Sequence, residues 1–218
     1  MSVGPRGWTP LQTDTRFIDG KPSSYDSRTH TARCVIATDT SVRLAFGTEV
    51  LRITKDSVDL SRMENGSMIP LLDSHQANSI NNALGRFLEV WIERGTLMGE
   101  ILFNRTPAGE LAEGMVQRNE VSGISCGYAV RSWEISDQDG NILDPDRNQL
   151  RWDDNLTYTA TRWVLHEASL VSVPADYLSG VRSFSNTDHD PDLINRRARM
   201  RARQAISDRM SRQTDELL

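Results

Sequence analysis

The amino-acid sequence predicts an α+β fold in which strands outnumber helices, and three stretches carry this prediction. Residues 84–92 and 96–103 alternate in part between apolar and polar side chains around a short turn, Glu93-Arg94-Gly95, and so indicate a β-hairpin. Residues 158–173 form the longest β-prone run of the chain. Thr106-Pro107 offers an N-cap residue followed by a proline at the first helical position, which predicts that a helix begins there.

The other elements follow from shorter patterns. Residues 33–39 are rich in β-branched side chains and predict a strand, for which residues 41–46 are the candidate partner. Residues 55–63 predict a short helix, and residues 128–135 alternate as a strand does. The helix that begins after Thr106 should end near Asn119. Its apolar stripe comprises Leu111, Ala112, Met115 and Val116.

Three regions of different composition divide the chain. Residues 1–30 show no sustained apolar period and predict an extended N-terminal arm, whereas residues 31–185 contain the predicted strands and helices and form one domain. Residues 186–218 begin a charged tail, predicted to be helical or disordered, in which residues 196–203 contain five arginines. A segment that docks onto a scaffold is the alternative interpretation of this tail.

Composition and charge exclude several classes of function. The chain has 218 residues and a formal net charge of −5, which provides no general attraction to nucleic acid or to a membrane surface. No apolar run approaches the length of a transmembrane helix, and the N-terminus lacks the apolar core of a signal peptide. Two cysteines make no disulfide framework, and four histidines are too scattered to indicate a metal site. These features favour an intracellular, reducing setting.

A serine between two glycines is the strongest candidate for chemistry. In Gly123-Ile124-Ser125-Cys126-Gly127 the glycines remove side-chain bulk on both sides of the Ser125 hydroxyl, which would let a ligand or another backbone segment approach. A serine hydroxyl becomes a nucleophile only beside a base. His75, fifty positions upstream, is the natural candidate for that base.

Two rival interpretations of this stretch are weaker. Gly-x-Ser-x-Gly matches the nucleophile elbow of α/β-hydrolase-type esterases, but that motif needs a strand before the serine and a helix after it, and here the order is reversed. A thiol peptidase would use Cys126 with His75. On an extended chain the Cys126 side chain points away from the side that Ser125 faces, so a buried small apolar residue is the simpler interpretation of Cys126.

Three sequence blocks, in this order and spacing, resemble the tailed-bacteriophage prohead (capsid maturation) protease family. They cover roughly residues 31–183 and leave the arm and the tail unmatched. The blocks are Pro70-Leu71-Leu72-Asp73-Ser74-His75 followed by Leu84-Gly85-Arg86, then Val121-Ser122-Gly123-Ile124-Ser125-Cys126-Gly127-Tyr128, and finally residues 163–176, WVLHEASLVSVPAD.

The resemblance implies a serine peptidase with a fold similar to the herpesvirus assembly proteases, which is a mostly antiparallel β-barrel with a few peripheral helices. By position, Ser125 matches the nucleophile of the family and His75 its base. Glu167 matches the acidic third member, and His166 is the alternative because herpesvirus enzymes use a second histidine there. On a regular strand adjacent side chains face opposite sides, so only one of the two can reach His75, and Leu165 would share the face of Glu167. Backbone N–H groups of Cys126 and Gly127 are a guess for the oxyanion hole.

The resemblance also implies a biological setting. Substrates would be segments of the major capsid protein and the scaffold, together with the protease itself by autocleavage, inside the assembling prohead in the host cytoplasm. The chemistry requires no metal and no organic cofactor, and a homo-oligomer is possible. No nucleic acid or membrane partner is expected. The serious alternative is a non-catalytic protein of capsid assembly or scaffold binding with the same barrel.

Overall fold

The computed structural model describes residues 24–44, 47–64, 66–144, 155–176 and 178–181. This part of the chain is mostly β-structure, with eleven strands and two α-helices. The strands are β1 (Thr31–Ala37), β2 (Val42–Leu44), β3 (Gly47–Leu51), β4 (Val58–Asp59), β5 (Pro70–Asp73), β6 (Ala83–Glu93), β7 (Thr96–Phe103), β8 (Gly123–Ser136), β9 (Ile142–Leu143), β10 (Thr157–Val171) and β11 (Gly180–Val181). The helices are α1 (Ser61–Glu64) and α2 (Pro107–Gln117), and a 3₁₀ turn spans Ile80–Asn82.

Seven of these strands close into a barrel. The order around it is β10, β5, β6, β7, β1, β11 and β8, and β8 then pairs with β10 again. Every pairing in this ring is antiparallel except that of β5 with β10. Closure pairs both edges of each strand in the ring over at least part of its length. The sequence predicted a mostly antiparallel barrel with few helices, and the structure confirms a β-rich fold that contains such a barrel.

Strand β10 holds the barrel to the elements beside it. One of its edges pairs with β8 from Thr157 to Val171, and the other pairs in succession with β3, β4 and β5, all three parallel. The long β-prone run of the sequence becomes this strand because most of its side chains are buried. The side chains that fill the barrel are large and apolar, and they include Trp163, Phe87, Phe103, Leu71, Ile101 and Leu165. Burial of each such side chain contributes about 1.5–3 kcal/mol.

The hairpin and the long helix form where the sequence predicts them. Strands β6 and β7 pair around the turn at Arg94-Gly95, where both residues have positive φ angles. Thr106 caps α2 by accepting a hydrogen bond from the Gly109 N–H, with Pro107 at the first helical position. The predicted apolar stripe is partly wrong: Ala112 and Val116 are buried, but Leu111 is 63% exposed.

Two local predictions are wrong. Residues 55–63 do not form one helix, because the Ser57 hydroxyl donates to the Arg52 carbonyl and accepts from the Thr54 N–H, which closes a turn. Val58 then pairs with β10, and only Ser61–Glu64 are helical. Strand β2 pairs with β3 and not with β1, since β7 and β11 already occupy both edges of β1.

The predicted arm and tail lie mostly outside the described residues, since 1–23 and 182–218 are not among them. The described end of the arm packs on the domain through Tyr25, whose hydroxyl donates to Glu113 at 2.6 Å, and Asp26 forms a bridge with Thr31. The division of the chain into arm, domain and tail stays a prediction. No helix in the described part of the chain is long and apolar enough to cross a membrane.

Candidate active site

His75 and Glu167 form a direct pair on the outer face of the barrel. The distance from His75 Nδ1 to Glu167 Oε1 is 2.7 Å. The parallel pairing of β5 with β10 produces this contact, because Leu72 lies opposite Ser169 and His75 follows the end of β5. The His75 side chain is 44% exposed and that of Glu167 only 15%. The carboxylate is thus covered while the ring stays open to an incoming molecule.

The backbone at His75 is held in an unusual conformation. Ser74 and His75 have φ angles of 48° and 62°, in the left-handed region that non-glycine residues rarely adopt. The Ser74 N–H donates to the Leu170 carbonyl and the His75 N–H to the Ser169 hydroxyl, at 3.2 and 2.9 Å. Strain of this kind costs on the order of 1–3 kcal/mol and persists where surrounding contacts fix it. Here those contacts turn the ring of His75 toward Glu167.

Ser169 is the residue of this site that sequence reasoning missed. Its hydroxyl donates to Glu167 Oε2 at 2.7 Å and accepts from the His75 N–H, so one buried oxygen joins the carboxylate to the histidine backbone. Ser169 is fully buried, which also excludes it as a nucleophile for an external substrate. A lone serine between Ala168 and Leu170 in an apolar run was the available signal, because a buried hydroxyl needs a partner.

Removal of the Ser169 hydroxyl should lower the rate of any reaction at this site. We expect Ser169→Ala to reduce kcat on the order of 10–100-fold with little change in KM, because His75 and Glu167 lose their common anchor. Ser57→Ala is the matched control. Ser57 is likewise a buried serine, but its hydroxyl donates to the Arg52 carbonyl and not to a residue of the site. Equal thermal destabilisation of both variants with an unchanged kcat for Ser169→Ala would show a purely structural hydroxyl.

Ser125 lies near the start of β8, directly across from Ser169 in the antiparallel register. Gly127 is in the same way opposite Glu167. Paired residues share a face of the sheet, so Ser125 lies on the face that carries Glu167, and His75 joins that face from the other side of β10. Among the described residues, no hydrogen bond links the Ser125 hydroxyl to the His75 ring. Catalytic hydrogen bonds often tighten only when a substrate binds.

The two glycines beside Ser125 have packing roles that the sequence did not reveal. The Glu167 carboxylate lies over Gly127, and a Cβ at that position would overlap Glu167 Oε1. A Cβ at Gly123 would come within 2.6 Å of the Val171 carbonyl oxygen. Ser125 lies within a strand, near its start, and not at the strand-to-helix turn of a nucleophile elbow. Gly127 therefore gives Glu167 the room to reach His75.

Gly127→Ala therefore tests the His75–Glu167 contact without altering the side chains that react. The new methyl group must displace the Glu167 carboxylate, and we expect a loss of activity on the order of 10–100-fold with the Ser125 and His75 side chains untouched. Gly114→Ala is the control, because a Cβ there meets only the flexible side chain of Arg118. Full activity of the Gly127→Ala protein would mean that the His75–Glu167 contact is unimportant.

His166 is placed away from the pair by a β-bulge. Leu165 lies opposite Tyr128 and Glu167 opposite Gly127, so His166 is the extra residue between two consecutive pairs. Its ring Nδ1 lies 3.3 Å from Arg62, and its carbonyl accepts from the same guanidinium. Strict strand alternation was the wrong argument here, because the bulge places Leu165 in the core and Glu167 on the outer face.

Cys126 is poorly suited to act as a nucleophile. It packs partly buried against the core, and burial followed by the charge of Glu167 raises the pKa of its thiol to about 12. The thiol is therefore protonated at neutral pH, whereas a reactive cysteine is a thiolate. The oxyanion role of the Cys126 and Gly127 backbone stays a prediction. In the described part of the chain, no group of three or more His, Cys, Asp or Glu side chains is placed to hold a metal ion.

Comparison with known proteins relates the chain to a phage capsid protein. It is 30% identical over 148 residues to the major capsid protein of Halomonas phage phiHAP-1, an alignment that covers 65% of this chain and 21% of that protein. The chain thus spans about a fifth of the length of the relative that it matches. No protein-family model matches the sequence, and no solved structure matches it.

Proposed function

We propose that this chain is a serine endopeptidase of phage capsid maturation, with Ser125 as nucleophile, His75 as base and Glu167 as the orienting acid. The observation that carries the proposal is the 2.7 Å contact between His75 Nδ1 and Glu167 Oε1, with Ser125 on the adjacent strand of the same face. A histidine whose Nδ1 donates to a carboxylate presents Nε2 as the acceptor for a serine proton. The contact therefore supports His75 as the base of an acyl-transfer reaction.

The proposed reaction proceeds by two acyl transfers. Ser125 Oγ attacks the peptide carbonyl while His75 Nε2 takes its proton, and the imidazolium then gives that proton to the leaving amine. A water molecule repeats the sequence on the acyl-enzyme, with His75 again taking the proton, and releases the new carboxyl terminus and the serine. Glu167 holds the ring tautomer and stabilises the imidazolium charge. Backbone N–H groups at Cys126 and Gly127 are the candidate donors to the oxyanion.

The similarity to a phage major capsid protein supports the choice of substrates. We infer that the substrates are segments of the capsid protein and the scaffold, together with this chain itself, within a prohead assembling in the host cytoplasm. The relative carries the similar segment as about a fifth of a longer polypeptide. A peptidase domain joined to, or assembled with, a capsid protein would meet its substrate at high local concentration. We also propose, as part of the same assignment, that the barrel is similar to that of the herpesvirus assembly proteases.

A non-catalytic role in capsid assembly is the second candidate, and the relative's description as a capsid protein favours it. Co-expression of the chain with the major capsid protein of its own phage separates the two. The peptidase proposal expects shortened capsid or scaffold products that disappear with Ser125→Ala, whereas assembly without any Ser125-dependent product would support the structural role. Mass spectrometry of the products identifies the bonds that are cut.

A further inference from the structure

A cavity lies beside Ser125, on the core-facing side of β8 to which Ile124, Cys126 and Tyr128 contribute. On the edge of β8 that does not face β10, β11 pairs only at Gly123, and among the described strands the next partner is β9 at Ile135. The cavity is also bordered by the end of β1, the residues after it, strand β3 and residues of the 175–179 segment. Ser125 and Cys126 form part of its wall. A substrate strand laid along this edge of β8 would direct alternate side chains to the cavity side and present the intervening backbone to Ser125.

The walls of the cavity are mainly apolar. Aliphatic side chains include Ile36, Val42, Leu51 and Ile124, and the described lining contains two carboxylates, Glu49 and Asp176, but no lysine, arginine or histidine. An apolar channel that contains an unopposed negative charge suits a side chain with a long hydrocarbon stem and a cationic end. Lysine and arginine have this form.

Hydrogen bonding distinguishes the two carboxylates. Asp176 has structural partners on both oxygens: Oδ2 accepts from the Thr38 N–H, the Thr38 hydroxyl and the Ser179 hydroxyl, at 2.7, 2.8 and 3.0 Å. Its Oδ1 accepts from the Leu178 N–H at 2.9 Å. Asp176 thus ties the 175–179 segment to the residue after β1 and has little capacity left for a ligand.

Glu49 retains that capacity. It is only 7% exposed, and its Oε2 accepts from the Tyr128 hydroxyl at 2.6 Å, while no described residue donates to Oε1. Burial, and then the bond to Glu49, raises the pKa of Tyr128, so this phenol stays a neutral donor. Among the described residues no buried side-chain oxygen lacks a partner, so Glu49 Oε1 reaches solvent and is open to a donor from a ligand.

We propose that this cavity binds a lysine or arginine side chain of the peptide substrate, with Glu49 as the residue that selects the positive charge. The inference rests on the proposed role of Ser125, and it makes the chain a peptidase that cuts after basic residues. The hydrocarbon stem would lie against the aliphatic walls, and the cationic end would donate to Glu49 Oε1 as a charge-assisted hydrogen bond.

The sequence of the chain itself contains fitting substrates. Residues 196–203, RRARMRAR, hold five arginines in eight positions. Autocleavage after one of these arginines would remove part of the tail. The proposal thus assigns the arginine-rich segment as a candidate internal substrate of the site.

Cleavage of a matched peptide set tests the preference. Four fluorogenic peptides would differ only in the residue before the scissile bond, which is lysine, arginine, norleucine or glutamate. We expect kcat/KM for the two basic peptides to exceed that for norleucine on the order of 10–100-fold, and Glu49→Gln to remove this advantage while norleucine cleavage changes little. Glu134→Gln is the control, because it removes the same charge from the exposed side of β8, where Glu134 pairs with Arg52.

Binding by the Ser125→Ala protein separates this proposal from the peptidase proposal. Calorimetry should show tighter binding of the lysine peptide than of the norleucine peptide, and Glu49→Gln in the same background should abolish the difference. Ser125-dependent cleavage without preference for basic residues, or an equal loss for all peptides in Glu49→Gln, would overturn the pocket assignment alone. Selective binding without any cleavage would retain the pocket as a site for basic peptides and overturn the peptidase.

Discussion

Ser125→Ala and His75→Ala are each expected to abolish processing of the capsid protein and of the chain itself. The loss should be on the order of 10³-fold or more for either variant, because the nucleophile and its base act as one unit. For the same reason the double variant should be no less active than the single ones. The fold should persist, since the His75 side chain is 44% exposed and the hydrogen bond to Ser169 uses the His75 backbone N–H. Quantitative mass spectrometry of co-expressed capsid protein gives the rates.

The chain provides close controls for both substitutions. His30 Nδ1 lies 2.7 Å from Glu113 Oε1, the same distance as in the proposed catalytic pair, but here the carboxylate belongs to α2. His30→Ala therefore removes an equivalent histidine–carboxylate contact and should lower thermal stability while cleavage continues. Ser132→Ala is the control for the serine substitution, because it removes an exposed hydroxyl from the same strand, β8, and cleavage should continue. Wild-type cleavage rates in the Ser125→Ala protein would refute the assignment of the nucleophile.

Much of the barrel could be predicted because its elements are determined locally. The β6–β7 hairpin depends on a two-residue turn with positive φ angles, and α2 depends on Thr106 and Pro107, so a short window contains the whole signal. The short elements were harder. Residues 55–63 have a helical composition, but the Ser57 turn and the pairing of Val58 with β10 prevail over that propensity.

The candidate site likewise contains residues that the sequence could predict and residues that it could not. Ser125, His75 and Glu167 could be proposed from their sequence blocks, and the structure brings Glu167 to His75 and places Ser125 on the neighbouring strand. The role of Ser169 could not be derived, because it depends on the parallel pairing of β5 with β10, which links residues nearly a hundred positions apart. The function of Gly127 was hidden for the same reason, since the side chain that it accommodates belongs to another strand.

Glu167→Gln should be far more damaging than His166→Gln. Glutamine keeps the shape of Glu167 and an oxygen that can accept from His75 Nδ1, but it removes the charge that stabilises the imidazolium. We expect the barrier to rise by about 2–5 kcal/mol, which corresponds to a rate loss between tens and thousands of times. Single-turnover cleavage of a capsid-derived peptide measures this directly, and KM should change little because neither residue is expected to hold the substrate.

Comparison with His166→Gln shows which of the two adjacent residues acts on His75. The bulge turns His166 toward Arg62, so His166→Gln loses one long contact at 3.3 Å and should remain within a few-fold of the wild-type rate. Glu113→Gln controls for the loss of a carboxylate that contacts a histidine elsewhere, since Glu113 lies on α2 and pairs with His30. The opposite ranking, with His166→Gln nearly inactive and Glu167→Gln nearly normal, would require the bulge to rearrange on substrate binding. It would assign the chain a Ser-His-His triad like that of the herpesvirus enzymes, with Glu167 reduced to a structural partner of Ser169.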